Sequence, residues 1–172
     1  MIRCDFLALI FCTVLNFSTA AADMPRPLSI ADDFKGYDRQ AIIEAANEWR
    51  QVIGEDPFRG CVVQFSFKVM PDRAADATVR TSLTDRCIVT IYNRPADTAP
   101  STSASPFAVL SMSASALRAV MRHEFGHVMG LGHSSHGVMS GDYAQAQSID
   151  VQSATIARLN WERWKKDGLR SR

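Results

Sequence analysis

The sequence predicts an α+β domain, and three observations carry that prediction. Residues 61–92 hold three short segments of strand character, the first alternating apolar and polar residues. Stretches on either side of this block repeat apolar residues at spacings of three and four, the period of helices packed on a core. All four histidines, His123, His127, His133 and His136, fall in one short window after the strand block. The expected order is an N-terminal helix, a small mixed twisted sheet, a helix carrying the histidines, and a C-terminal helix.

The chain of 172 residues suffices for one domain of ordinary size. With 47% hydrophobic and 22% charged residues it has a globular composition, not a disordered one. A net charge of +1 gives no electrostatic case for nucleic acid or for a highly charged substrate.

Residues 1–22 read as a secretory signal peptide. Arg3 supplies the basic start, residues 6–17 are mostly apolar and too short to span a bilayer, and Ala20-Ala21-Ala22 precedes Asp23 as a cleavage site. An uncleaved anchor is the alternative. No other segment is long or apolar enough to cross a membrane. Cleavage removes Cys4 and Cys12 and leaves Cys61 and Cys87. In an exported chain these most simply form one disulfide, with two free buried thiols as the alternative. The closed loop of about 26 residues is worth ~3–4 kcal/mol if the bond is unstrained. Neither cysteine has a C-x-x-C partner, so they do not form a second zinc site.

Residues 23–36, with Pro25 and Pro27, form an extended N-terminal segment ahead of the domain at 37–172. Asp38 is the expected N-cap of a helix to Ile53, with Ile42, Ile43, Ala46, Trp49, Val52 and Ile53 on its apolar face and Gly54 as its stop. In 61–70, Val63, Phe65, Phe67 and Val69 alternate with polar residues, and 76–81 and 87–92 are two further strands. Residues 93–111, rich in Pro, Ser, Thr and Ala, read as a long loop. Ser113 or Ser115 caps a helix to Gly130, with Ala116, Val120, Phe125 and Met129 facing inward. Ser148 or Asp150 caps a last helix to Lys166, with Val151, Ala154, Ile156, Leu159 and Trp164 as its apolar residues. The basic end, 163–172, is a solvated tail or a partner-binding patch.

The chemistry concentrates in HEFGHVMGLGHSSHGVM, residues 123–139. His123 and His127 are four apart and share one face of a helix, where two imidazoles can point at one metal ion. Glu124 lies beside them without being forced to bind. Gly130 allows the backbone to turn, Gly132 loosens the same turn, and His133 returns as a third ligand. Three neutral imidazoles leave a tetrahedral zinc ion one open position, the arrangement of a catalytic site. His136 is an extra ligand or an ordinary loop histidine.

The pattern H-E-x-x-H-x-x-G-x-x-H followed by Met139 resembles the metzincin clan of zinc endopeptidases, and Ser134 after the third histidine resembles its matrixin branch. The specific likeness covers about 30 residues. It implies a zincin-like catalytic domain that is secreted or periplasmic and hydrolyses internal peptide bonds, with Glu124 as general base on water activated by one zinc ion. It implies that Met139 forms a floor beneath the histidines in a Met turn and that Tyr143 walls a substrate pocket. Gly141 replaces the family's usual proline, and the gap from His133 to Met139 is short for the family. A sheet edge would pair with the substrate backbone, a protein or peptide. Matrixins place a structural zinc and calcium sites in the region of 93–111. This stretch has no histidine and a single acidic residue, Asp97, which argues against a second zinc and against calcium. No cysteine lies between Asp23 and Gly60 to plug the zinc, although Asp23, Asp32 or Asp33 could do so through a carboxylate. A monomer is expected. The alternative is a zinc-containing binding module or toxin component without proteolysis, against which the presence of Glu124 argues.

Overall fold

The computed structural model describes residues 27–70, 73–93 and 112–170. The signal segment 1–22, Asp23 and the loop 94–111 with Asp97 lie outside the described residues.

Among the described residues the fold is α+β, with a four-stranded mixed sheet and three α-helices. The strands are β1 (Ser29–Ile30), β2 (Val62–Val69), β3 (Ala75–Ala77) and β4 (Ile88–Asn93), in the order β1-β2-β4-β3. β1, β2 and β4 run parallel, and β3 closes one edge antiparallel to β4. The helices are α1 (Gly36–Ile53), α2 (Ala114–Val128) and α3 (Val151–Arg170). α1 and α2 pack together, β3 lies against α2, and α3 lies against α1.

The segment expected to be extended contributes β1, whose Ser29 N–H donates to the Cys61 carbonyl at 2.9 Å. α1 buries Ala41, Ile42, Ala45, Ala46 and Trp49, with Ile43, Val52 and Ile53 at the margin. Asp38 is not its cap. Lys35 holds that position, and the Asp38 N–H already donates to the Lys35 carbonyl at 3.1 Å, so Asp38 lies in the first turn. Gly54 ends the helix at φ 82°.

The register pairs Val62 with Ile88, which brings the preceding Cys61 and Cys87 to a Cα separation of 4.5 Å, and their disulfide is buried. The alternation predicted for β2 holds only in part. Val63 is buried, but Phe67 is 75% exposed, because the register shifts between Ser66 and Val69 and the strand end runs past the core. The strand expected at 76–81 is shorter and earlier. Val79 is exposed, and the chain turns so that the buried Arg80 guanidinium donates to the carbonyls of Pro57 at 3.1 Å and Leu83 at 2.8 Å. A buried cation must find acceptors, and that requirement outweighs β-propensity here.

Ser113 caps α2 by accepting the Ala116 N–H at 3.2 Å. Val120, Phe125 and Met129 are buried as expected, but Ala116 is exposed and Leu117 takes the inward position. Asp150 caps α3 by accepting the Ser153 N–H at 2.8 Å. Its inward face is the expected one only in part, at Ala154 and Trp164. Val151, Ile156 and Leu159 are exposed, whereas Ala154, Ala157, Trp161 and Trp164 are buried. Two indoles on one stripe remove more apolar area from water than the aliphatic residues would, and they set the rotation of the helix. α3 also runs beyond Lys166 to Arg170. Among the described residues no helix is long and apolar enough to cross a membrane.

Candidate metal centre

The histidines His123 and His127 sit on the last two turns of α2. The helix then stops in a Schellman arrangement around Gly130, at φ 79°. The Gly130 N–H donates to the His127 carbonyl at 2.8 Å and the Leu131 N–H to the Gly126 carbonyl at 3.1 Å. This turn sends His133 back over the helix end. Gly132, expected to share the turn, has no positive φ; Gly130 alone supplies the left-handed residue.

The three imidazoles converge, with ligand atoms all within 4.8 Å of one another. The His123 Nδ1 lies 2.9 Å from the Val138 carbonyl and the His127 Nδ1 lies 2.8 Å from the Leu131 carbonyl. Each Nδ1 therefore carries the proton and donates, which leaves each Nε2 as a lone pair. The Nε2 atoms of His127 and His133 are 3.1 Å apart. Ligands about 2.0–2.1 Å from a tetrahedral ion stand about 3.3–3.4 Å from each other, so this pair is close to chelate spacing. Donor type, tautomer and spacing all fit a metal ion. Burial, with the neighbouring His127 and His133, pulls His123 down to about 4 against the pull of the Val138 carbonyl, and burial also lowers His127. Both are held neutral, the state a ligand needs. His136 is exposed and belongs to no metal-capable group among the described residues, and the same holds for Asp32 and Asp33.

The resemblance implied Met139 beneath this trio; two further supports, Gly126 and Asp150, escaped the sequence reading. Met139 ends a 3-10 turn, Gly137–Met139, and is buried against the helix at Gly126. A Cβ on Gly126 would lie 2.2 Å from the Met139 sulfur. A methyl between the two helical histidines would thus displace the Met139 side chain, and a glycine inside a helix was the signal available. Asp150 is the second support. Its carboxylate accepts the Val138 N–H at 3.1 Å, while the Val138 carbonyl accepts from His123. One peptide residue thus links the start of α3 to the orientation of a ligand. Gly137, at φ 71°, admits the close approach, since a Cβ there would meet Asp150 Oδ2 at 2.4 Å.

Glu124 is 2% exposed. Burial pushes its carboxyl up to about 7, opposed by a hydrogen bond from Tyr143 and reinforced by the charge of Asp76. Tyr143 opens a second 3-10 turn, Tyr143–Gln145, and donates to Glu124 Oε1 at 3.2 Å. Its ring stands edge-on to His123, with centroids 5.0 Å apart.

Behind the site, Arg122 is a buried cation whose three nitrogens each have an acceptor. It pairs with Glu48 of α1 and donates to the Ala146 carbonyl. Arg118 joins it on Glu48 and also reaches Glu44. Burial alone would raise the Glu48 carboxyl, but the hydrogen bonds and charges of Arg122 and Arg118 hold it below its ordinary value. The network fixes α2 to α1 and fixes the segment bearing Tyr143 to α2.

Compared with models of protein families, with curated proteins and with solved structures, the chain gives no match. Its own residues carry the argument.

Proposed function

We propose that the chain is a secreted zinc-dependent endopeptidase of the metzincin type, nearest the matrixin branch, that hydrolyses internal peptide bonds. One observation carries this reading: three imidazoles converge, and next to the first of them lies the buried carboxylate of Glu124, joined to His123 through the hydroxyl and ring of Tyr143. A metal held only structurally has no need of such a neighbour.

His123, His127 and His133 would hold the ion, and zinc suits three nitrogen donors. When bound, zinc supplies Lewis acidity, acidifying water and polarising a carbonyl. Glu124 takes the proton of the attacking water and returns it to the leaving nitrogen, a task within the reach of a carboxylate beside the histidine trio. Its burial excludes bulk water from the proton's path. β3 is the edge strand beside α2, and its outer edge suits the backbone of an extended peptide. The buried disulfide and the lack of a membrane-spanning helix among the described residues are compatible with export.

The test uses the chain from Asp23 and its Glu124→Ala variant, each incubated with denatured casein. Cleavage by the parent only, abolished by a chelator and restored by zinc, is the expected result. Metal in both proteins with cleavage by neither would replace this reading with that of a zinc-containing binding module.

A further inference from the structure

The resemblance placed Tyr143 in the wall of a substrate pocket; its contacts assign it a further task. Its phenol donates to Glu124 Oε1 at 3.2 Å, and its ring packs edge-on against His123. Neither contact is an accident of a loose loop. The Asp142 side chain accepts the Ala144 N–H at 3.0 Å and caps the turn that begins at Tyr143. At the other end of the turn, Arg122 from α2 holds the Ala146 carbonyl, with Glu48 as its counter-charge. The turn is thus capped at its start by Asp142 and tied at its end to the helix that carries Glu124.

We propose that Tyr143 is a positioning residue for Glu124, its hydroxyl fixing one carboxylate oxygen so that the other receives the proton. This rests on Glu124 being the base of the proposed reaction. A carboxylate on a freely rotating side chain visits several orientations, and a donor at one oxygen removes that freedom before substrate arrives. The Arg122 and Glu48 pair acts one step further back, by holding the turn.

The test joins a spectroscopic readout to a kinetic one. The chain has three tyrosines, so zinc-loaded protein carrying 13C at the tyrosine Cζ gives a spectrum in which Tyr143→Phe identifies one signal. Glu124→Ala should move that signal while Tyr37, exposed on α1, stays where it was. In peptide cleavage, Tyr143→Phe should keep zinc content, melting temperature and KM. It should lower kcat about tenfold or more, the loss expected for one hydrogen bond to a charged group. Preference for the residue after the scissile bond should not change, because the ring is retained. An unmoved tyrosine signal overturns the proposal. So does a Tyr143→Phe enzyme with parental kcat, which would leave Tyr143 as a pocket wall alone. A moved signal in a parent that cleaves no peptide would sink the endopeptidase reading and leave the hold of Tyr143 on Glu124 standing.

Discussion

In the proposed reaction, single side chains divide the site's work into holding an ion and moving a proton. His123→Ala, His127→Ala or His133→Ala should each remove bound metal, since two imidazoles do not make a stable zinc site. Glu124→Ala should keep about one zinc per chain and lose about 10²–10⁴-fold in kcat, the usual contribution of a general base. Metal analysis beside peptide kinetics separates the two classes. Gly126 makes a third. Gly126→Ala gains helix propensity but drives a methyl into the Met139 sulfur, a site with no room. The net expectation is a loss of about 1–3 kcal/mol in a denaturant titration, together with weaker zinc retention.

At the scale of elements, the ties between helices and turns set stability and its response to pH. Cys61→Ser with Cys87→Ser should cost ~3–4 kcal/mol for the 26-residue separation the bond spans. Asp85 governs a turn by accepting from the N–H and hydroxyl groups of Thr81 and Ser82, and these donors hold its carboxyl well below the ordinary carboxylate range. The folded value lies under the unfolded one. Its stabilisation is therefore present at neutral pH and fades as the pH falls below about 4. Asp85→Asn should melt below the parent at pH 7, with the gap narrowing by pH 3. A gap that is constant with pH would mean that Asp85 acts through packing alone.

Across the whole molecule, what the sequence disclosed was what local chemistry specifies. Three metal-capable histidines within eleven residues declare themselves by spacing, because one helix turn and one left-handed glycine bring them together. The disulfide was legible because only two cysteines lie outside the segment expected to be a signal peptide. What stayed hidden depends on chain segments that meet only after folding. Asp150 steadies His123 through Val138 from twelve residues beyond that valine, and no spacing rule announces it. Arg80 looks like a strand residue until its carbonyl acceptors are assembled around it. The buried face of α3 follows from where Trp161 and Trp164 find room, whereas period alone allowed a neighbouring stripe. The central claim concerns the meeting of three nitrogen donors at one ion. X-ray absorption at the zinc edge, on chain purified with its metal, tests it most directly. The expected spectrum has one zinc per chain with three imidazole nitrogens at about 2.0–2.1 Å and one oxygen ligand. An absent metal, or an ion bound by fewer than three imidazoles, would contradict the account at its root.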